Sequence, residues 1–238
     1  MGRLYRATTS RIREWRLPGL LRQLQRAPPS AAAIMPIVAR LREAWGNTGW
    51  SADLGAVEEV VTRALRSPGP FLECGAGFST LLLGVIARRN GTTVWSLEQD
   101  AEWSLTMRRR LAAAGLHNVQ LLYAPLEVTD GGAWYRCDDD AIPRAFPLVF
   151  CDGPAVLKSQ WPEAVYLVWR SRLVAELTRR SIAFGTIVLD DAEDARCGRL
   201  VDAWRSAGLQ TEIVATPFGR HVVASQPLMA PASGNQRA

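Results

Sequence analysis

Long hydrophobic runs are missing from this chain of 238 residues. No segment approaches the ~20 consecutive apolar residues that span a bilayer, so we expect no transmembrane helix. The N-terminus also lacks an apolar stretch followed by a small-residue cleavage site, which argues against a secretory signal peptide. We therefore expect a cytoplasmic protein.

The chain also has no closely spaced pair of cysteines and almost no lysine. The four cysteines stand singly, with no C-x-x-C pair, at Cys74, Cys137, Cys151 and Cys197. This spacing argues against a zinc site and against a disulfide framework. Cys74 and Cys151 lie in apolar, strand-like runs, so we interpret them as small core residues. Lys158 is the only lysine, so the basic residues are almost all arginine.

The net charge of +5 is unevenly distributed along the chain. Residues 1–45 hold nine arginines against two glutamates, a net of +7, and the rest of the chain therefore sums to −2. Basicity is thus a property of the N-terminal region. The rest of the chain is close to neutral, and we expect no nucleic-acid partner.

Residues 1–50 are predicted to form a basic helical arm, with its helix broken at Pro18-Gly19. Leu20, Leu21 and Leu24 give the arm an apolar stripe. Three interpretations remain open: a helix that packs on the body or on a second copy in a homodimer, a membrane-surface or nucleic-acid arm, or a frayed tail.

Apolar runs and helical patterns alternate through residues 51–225, which we predict to be one domain. Strands are expected at 71–72, 92–97, 119–123, 147–151, 186–189, 211–215 and 221–224, and helices at 54–65, 78–88, 101–114, 163–180 and 192–207. This order predicts an α/β, doubly wound, Rossmann-like parallel sheet that ends in an antiparallel hairpin. The polar tail at 226–238 is predicted to be disordered.

The strongest motif follows the first predicted strand, where Glu73 precedes Gly75-Ala76-Gly77 and then Ser79-Thr80. Glycines in such a turn let the backbone approach a ligand closely, and the following helix offers free N–H groups. The third small residue of the dinucleotide fingerprint is replaced by Thr80. A carboxylate beside the turn repels a pyrophosphate but suits a ligand with a cationic amine. The alternative is a structural strand-to-helix turn.

Glu98 ends the next predicted strand, 21 residues after Gly77. An acid at that position accepts hydrogen bonds from the ribose hydroxyls of an adenosine-bearing cofactor. Together with the glycine turn, it indicates a nucleoside-type ligand.

These motifs, together with the runs Cys151-Asp152-Gly153-Pro154 and Leu189-Asp190-Asp191, resemble those of the class I S-adenosylmethionine-dependent methyltransferases, and bacterial small-molecule methyltransferases in particular. The resemblance covers about residues 54–225. It implies a seven-stranded sheet whose last strand is antiparallel. It also implies S-adenosylmethionine as the cofactor, with site residues Glu73, Gly75, Gly77, Ser79, Thr80, Glu98, Leu126 and Asp152. Among these, Glu73 would lie near the amino group of the cofactor, Glu98 at its ribose and Leu126 at its adenine.

Asp152, Asp190 and Asp191 follow two predicted strands at the sheet edge where α/β sites form. Catechol-type O-methyltransferases hold Mg²⁺ with acids at these positions, so the resemblance offers them as metal ligands. The lysine position of that type is Ala155 here. Metal-free acid/base catalysis by Asp152 and Asp190 and simple helix capping are the alternatives.

The insertion at 124–145 carries Trp134-Tyr135 and the acid run Asp138-Asp139-Asp140. We interpret it either as a lid over the acceptor site or as a solvated loop with two aromatics packed on the body.

The expected function is methyl transfer to a small-molecule acceptor, with O-methylation favoured over N-methylation. An NAD(P)-dependent oxidoreductase is the first alternative, but no Tyr-x-x-x-Lys pair is present. The second is a non-catalytic Rossmann-like module that uses its basic arm on a membrane or nucleic acid. DNA base methylation is disfavoured, because Asp152-Gly153-Pro154 replaces the Asn/Asp-Pro-Pro-aromatic run.

Overall fold

A computed structural model describes residues 16–46, 50–129, 132–155, 170, 172–192 and 196–226 of the protein. Its helices are α1 (Leu17–Arg26), α2 (Ala31–Trp45), α3 (Leu54–Ala64), α4 (Phe78–Arg89), α5 (Ala101–Ala113), α6 (Arg172–Arg179) and α7 (Arg196–Ser206). Its strands are β1 (Phe71–Cys74), β2 (Val94–Glu98), β3 (Val119–Tyr123), β4 (Leu126–Thr129), β5 (Gly132–Tyr135), β6 (Ala145–Cys151), β7 (Ala183–Leu189), β8 (Gln210–Thr216) and β9 (Gly219–Ser225).

Seven strands form one sheet in the order β3-β2-β1-β6-β7-β9-β8. The first five run parallel to one another, and β9 is antiparallel to both β7 and β8. Parallel strands need crossover connections, and α4, α5 and α6 supply them after β1, β2 and β6. The β4–β5 hairpin lies in the connection between β3 and β6. The predicted seven-stranded, doubly wound α/β sheet with a terminal hairpin is confirmed.

The central strands are apolar because helices cover both faces of the sheet. All four residues of β1 are buried. Phe71 packs with α1 to α5 on one face, whereas Leu72 and Cys74 pack with α6 and α7 on the other. Cys74 and Cys151 are buried in this second core, as their apolar surroundings predicted.

The predicted helix break at Pro18-Gly19 falls at the start of the first described helix. Helix α1 begins at Leu17, and Pro18 lies in its first turn. A proline is tolerated there because the first N–H groups of a helix have no intrahelical partner. Residues 1–15 of the predicted arm lie outside the described residues.

The apolar stripe of α1 is buried within the chain. Leu20, Leu21 and Leu24 are each at most 6% exposed and pack into the core beneath α2 and α4. This is the first of the three interpretations of the arm, a helix packed on the body. The stripe that favoured a homodimer is thus covered without a second copy.

The insertion at 124–145 differs from the polar loop that was expected. It contains strands β4 and β5, which form a separate two-stranded antiparallel sheet. Trp134 and Tyr135 lie on β5 and are buried on the body, with their rings edge to face at 5.3 Å. Alternating apolar residues were too few for a strand prediction, and tertiary packing fixes this hairpin.

Helix α6 is shorter than the predicted helix at 163–180. It begins after Arg170, whose positive φ of 57° is outside the helical region. Residues 163–169 lie outside the described residues, as does the predicted tail after Gln226. No helix in the described ranges is long and apolar enough to cross a membrane.

Candidate functional site

The glycine turn after β1 is held close to the end of β6. Gly75 has a φ of +97°, which disfavours any residue with a side chain. Its amide donates to the Leu97 carbonyl at 2.9 Å. A Cβ on Gly75 would come within 2.8 Å of the Gly153 nitrogen. Both the backbone conformation and the lack of space therefore require glycine at this position. Gly77 then serves as the N-cap of α4.

Glu73 lies at this turn and is completely buried. Its Oε2 accepts hydrogen bonds from Thr80 Oγ1 at 2.7 Å and from Ser96 Oγ at 2.6 Å. Burial outweighs these bonds and raises the pKa of Glu73 to about 7. Its Oε1 has no hydrogen-bond partner among the described residues. The side chain therefore keeps an unused acceptor in a desolvated position.

Glu98 lies at the end of β2, directly beside the turn. Its Oε2 accepts from the Ala76 amide at 3.1 Å and its Oε1 accepts from the Asp100 amide at 2.8 Å. The indole of Trp103 donates to the Ala76 carbonyl at 2.8 Å, so both backbone groups of the middle turn residue are fixed. Burial raises the pKa of Glu98 to about 7 as well.

The remaining predicted cofactor residues surround the same turn. Ser79 and Thr80 are buried in the first turn of α4. Leu126 opens β4 and is half-buried. The amide of Ala124, two residues earlier, donates to the Glu98 carbonyl at 2.8 Å. The structure thus brings Leu126 to the edge of the sheet that carries Glu98.

The three predicted aspartates gather at the carboxyl ends of β6 and β7. The Asp152 amide donates to the Cys74 carbonyl and the Asp190 amide to the Cys151 carbonyl, each at 3.0 Å. The Asp190 side chain is 2% exposed, and its Oδ2 accepts from the Asp53 amide at 2.8 Å. Both carboxyls are therefore placed by the ends of neighbouring parallel strands.

Burial and mutual repulsion change the protonation of this cluster. Burial, followed by the negative charge of Asp190, raises the pKa of Asp152 well above its usual range. Burial and the neighbouring Asp191 raise the pKa of Asp190 to about 6. The positive charge of Arg170 acts in the opposite direction on both carboxyls.

Arg170 lies among the three aspartates and was not predicted. Its Nη2 is 3.1 Å from Asp191 Oδ2 and 3.8 Å from Asp152 Oδ1. It also donates from Nη1 to the Asp190 carbonyl at 3.1 Å and from Nη2 to the Asp152 carbonyl. Nothing in the sequence distinguishes Arg170 from the many other arginines. Asp53, which also contacts the cluster, could have been found as the N-cap before the apolar pattern of α3.

The predicted magnesium site does not fit this geometry. A guanidinium lies between the carboxylates Asp152 and Asp191, where a cation would have to bind. No group of acids, histidines and cysteines within the described ranges is arranged to hold a metal ion. A buried arginine already supplies the positive charge that Mg²⁺ would have brought.

Tyr135 approaches the turn from the face of the sheet that α6 and α7 cover. A Cβ on Gly153 would lie 2.3 Å from Tyr135 Oη and 2.8 Å from Gly75 Cα. The buried hydroxyl has no hydrogen-bond partner among the described residues. Tyr135 therefore packs against Gly153 beside the glycine turn, a contact that the sequence did not indicate.

Comparison with solved structures identifies the fold. The SAH-bound methyltransferase PaMTH1 of Podospora anserina is 14% identical, with a TM-score of 0.54 over 79% of this chain and 85% of that one. The methyltransferase domain of METTL16 is 13% identical, with a TM-score of 0.54 over 82% of this chain and 95% of that one. This chain has the class I methyltransferase fold.

The class I methyltransferase fold places the glycine turn and Glu98 at the carboxyl edge of the parallel strands, where ligands bind in open α/β sheets. No protein-family model matches the chain, and no curated protein matches it. At these identities the similarity concerns the fold, so the function has to be argued from the site itself.

Proposed function

We propose that the protein is an S-adenosylmethionine-dependent methyltransferase that methylates a hydroxyl group of a small-molecule acceptor. The observation that supports this most is the pair of buried acids beside the glycine turn. Glu73 and Glu98 both adjoin Ala76 and its neighbours, and both have a pKa raised to about 7. Two carboxylates at this turn repel a pyrophosphate but attract a ligand with a cationic amine and ribose hydroxyls.

The chain's own residues fit such a cofactor. The buried, unpartnered Oε1 of Glu73 is an acceptor for an ammonium group. A Cβ on Gly77 would meet no atom closer than 3.9 Å, so the turn is open there and a ligand can approach the backbone. Each oxygen of Glu98 accepts one backbone N–H and keeps a lone pair for a ribose hydroxyl. When bound, the cofactor supplies an electrophilic sulfonium methyl group.

The aspartate cluster is proposed to supply the base. In the transfer, the acceptor oxygen forms a bond to the methyl carbon while the carbon–sulfur bond breaks, and the hydroxyl proton passes to a carboxylate. Asp152 is the first candidate for this role, which is supported by its partly exposed side chain, 22% accessible, and by the contact of its backbone with the glycine turn. Asp190, with its pKa raised to about 6, is ionised at neutral pH and is the second candidate.

Orientation is the other contribution that the site can make. Arg170 fixes the backbone carbonyls of Asp152 and Asp190 and one carboxylate oxygen of Asp191. Rigid placement of the acceptor relative to the methyl group lowers the entropic part of the barrier. The half-buried Leu126 is proposed to contact the adenine, and Ser79 and Thr80 to line the methionine end.

The test is calorimetric titration of the full chain with S-adenosylmethionine, S-adenosylhomocysteine and NADH. We expect S-adenosylhomocysteine to bind with micromolar affinity, and Glu98→Ala to weaken it at least about tenfold, since hydrogen bonds to a charged group contribute about 1.5–3 kcal/mol. Glu102→Ala, on the exposed side of α5, is the matched control. Thermal unfolding of both variants shows whether Glu98→Ala still folds.

Two outcomes would overturn the proposal. One is a preference for NADH, which favours the oxidoreductase alternative. The other is the absence of binding by either sulfur compound to the folded wild type, which favours a non-catalytic module. Glu98→Gln keeps the shape of the side chain, so a similar loss in that variant would assign the effect to the carboxylate charge rather than to a disturbed turn.

A further inference from the structure

The positive charge of the protein is concentrated on one face of the sheet. Residues 16–126, which supply nearly all of the core on that face, contain twelve arginines against eight acids, a net of +4, whereas residues 127–238 sum to −2. Helices α1 and α4 themselves hold four arginines and no aspartate or glutamate. The charge asymmetry of the N-terminal region therefore extends into the folded body through α4 and α5. It does not depend on residues 1–15.

Five of these arginines surround the C-terminal half of α1. Arg22 and Arg26 lie on α1 itself, one helical turn apart. Arg40 of α2 donates to Gln23 Oε1 at 3.1 Å, and Arg88 of α4 donates twice to Gln25 Oε1, at 2.7 and 3.0 Å. Arg89 donates to the Leu24 carbonyl at 3.0 Å. We call this set the arginine patch: Arg22, Arg26, Arg40, Arg88 and Arg89.

The partners within the arginine patch are neutral. Amide and carbonyl oxygens orient the guanidinium groups of Arg40, Arg88 and Arg89, and no described carboxylate pairs with them. Arg22 and Arg26 have no side-chain partner among the described residues. All five are exposed apart from the half-buried Arg89. A guanidinium has five N–H donors, so even the bonded members keep donors for a further acceptor.

Several arginines elsewhere on the protein have carboxylate partners within the chain. On the α6 side of the sheet, Arg144 pairs with Asp140, Arg172 with Glu176, and Arg179 with Asp139. On α7, Arg205 lies 3.8 Å from Asp202. In each of these four cases the chain supplies a carboxylate near the guanidinium. Within the part of the chain that the structure describes, no carboxylate pairs with a member of the arginine patch, which favours a counter-charge from outside the chain.

We propose that the arginine patch binds the phosphate backbone of a nucleic acid. Clustered, exposed guanidinium groups neutralise phosphates and release the counterions condensed on the polymer. The fork of donors on arginine matches phosphate oxygens in a bidentate manner. This inference does not rest on the proposed methyltransferase function, and it assigns a polymer partner to a face that the small-molecule proposal leaves without a role.

An acidic membrane is a less suitable partner for this face. An interfacial helix binds lipid by inserting its apolar side below the headgroups. The leucines of α1 are already buried in the protein core, so the helix has only its polar side to offer. A phosphodiester backbone needs positive charge alone and therefore fits what α1 exposes.

Fluorescence anisotropy of the full chain with a labelled RNA and a labelled DNA strand, each of about 20 nucleotides and mixed sequence, tests the proposal over a series of salt concentrations. The patch variant is Arg22→Gln/Arg26→Gln/Arg40→Gln. The control variant is Arg66→Gln/Arg199→Gln/Arg205→Gln, which removes the same charge from exposed positions outside the patch. Circular dichroism and thermal unfolding confirm that both variants are folded.

We expect wild type to bind at least one of the two strands at about 50 mM salt, with an affinity that falls as salt rises. The patch variant should bind at least about tenfold more weakly, with a salt slope smaller by about 2, whereas the control should change affinity by less than about threefold. Failure of wild type to bind either strand would overturn the proposal. An equal loss in both triple variants would do so too, as would patch-dependent binding to phosphatidylserine vesicles without binding to either strand.

Discussion

Gly75 and Gly153 are in direct contact at the ends of β1 and β6, where an added Cβ on either would meet backbone atoms of the other at 2.8 Å. The contact joins the glycine turn to the segment that carries Asp152. It also rests on Tyr135, whose hydroxyl lies 2.3 Å from the position of a Cβ on Gly153. The proposed cofactor-binding turn and the proposed base are therefore joined by the packed contact of Gly75, Gly153 and Tyr135.

Gly75→Ala should destabilise the protein and abolish cofactor binding. The new methyl group would contact the Gly153 backbone, which cannot move aside as a flexible side chain would. Its φ of +97° adds backbone strain, and the two effects together cost about 2–5 kcal/mol of unfolding free energy. Urea denaturation measures the loss, and calorimetry with S-adenosylhomocysteine measures the binding.

Gly198→Ala is the matched control for this substitution. Gly198 lies within α7, has no atom within 4 Å of an added Cβ and is not in the left-handed region. Alanine is the better helix former, so this variant should be stabilised by about 0.5–1 kcal/mol. Similar effects of both substitutions on stability would contradict the close contact between the two strand ends.

Glu73→Gln should remove part of the pH dependence of stability. The pKa of Glu73 is raised by burial from 4.5 to about 7, so the folded state holds a proton that the unfolded state has lost. Glu73 therefore contributes stability below about pH 4.5 that is lost as pH rises through about 7, amounting to up to about 3 kcal/mol. Urea unfolding of wild type and variant at about pH 5 and about pH 8 measures the difference.

The wild type should lose more unfolding free energy between these two pH values than Glu73→Gln does. Glu102→Gln is the control, because Glu102 is an exposed residue of α5 whose replacement should leave the slope as in wild type. A slope that Glu73→Gln leaves unchanged would show that Glu73 does not titrate in this range. Bound S-adenosylhomocysteine should lower the pKa of Glu73, because its ammonium group favours the carboxylate.

The sheet could be predicted from the sequence because its elements carry their own local signals. Strands β1, β2 and β3 are short apolar runs between clear turn residues, and the terminal hairpin flanks Pro217-Phe218-Gly219. The Gly75 turn and Glu98 could be placed in the site for the same reason, since each follows directly from a strand end. Local pattern and tertiary position agree at these places.

The residues that sequence reasoning missed depend on long-range contacts. Arg170 is 20 residues before Asp190 along the chain and reaches its carbonyl only after β6 and β7 are paired. The hairpin of β4 and β5 has weak alternation, and burial of Trp134 and Tyr135 against the second core stabilises it.

Arg170→Gln should move the acidic limb of the pH–rate profile to higher pH. The guanidinium lowers the pKa of both Asp152 and Asp190, so its loss leaves more of each carboxyl protonated at a given pH. A protonated carboxyl cannot accept the proton of the acceptor hydroxyl. The rate below the limb should fall about tenfold for each pH unit by which the limb moves.

Steady-state rates of methyl transfer between about pH 5 and about pH 9 give this profile. Arg170→Lys keeps the charge and should restore most of the original position of the limb. Arg172→Gln, which removes a guanidinium paired with Glu176 on α6, is the control and should leave the limb in place. A limb that does not respond to Arg170→Gln would separate these aspartates from the proton transfer.

Tyr135→Phe should raise the stability of the protein without cofactor. The Tyr135 hydroxyl is buried, and the described residues offer it no hydrogen-bond partner. An unsatisfied buried polar group costs about 1–3 kcal/mol, and phenylalanine removes it while the ring stays packed against Trp134. Urea denaturation should therefore give a higher midpoint with an unchanged slope.

Tyr123→Phe is the control, because Tyr123 is 49% exposed and its hydroxyl is free to bond with water. A lower midpoint for Tyr135→Phe would mean that its hydroxyl has a partner in solution, and a weaker affinity for S-adenosylhomocysteine in that variant would identify the cofactor site as the place where the partner binds.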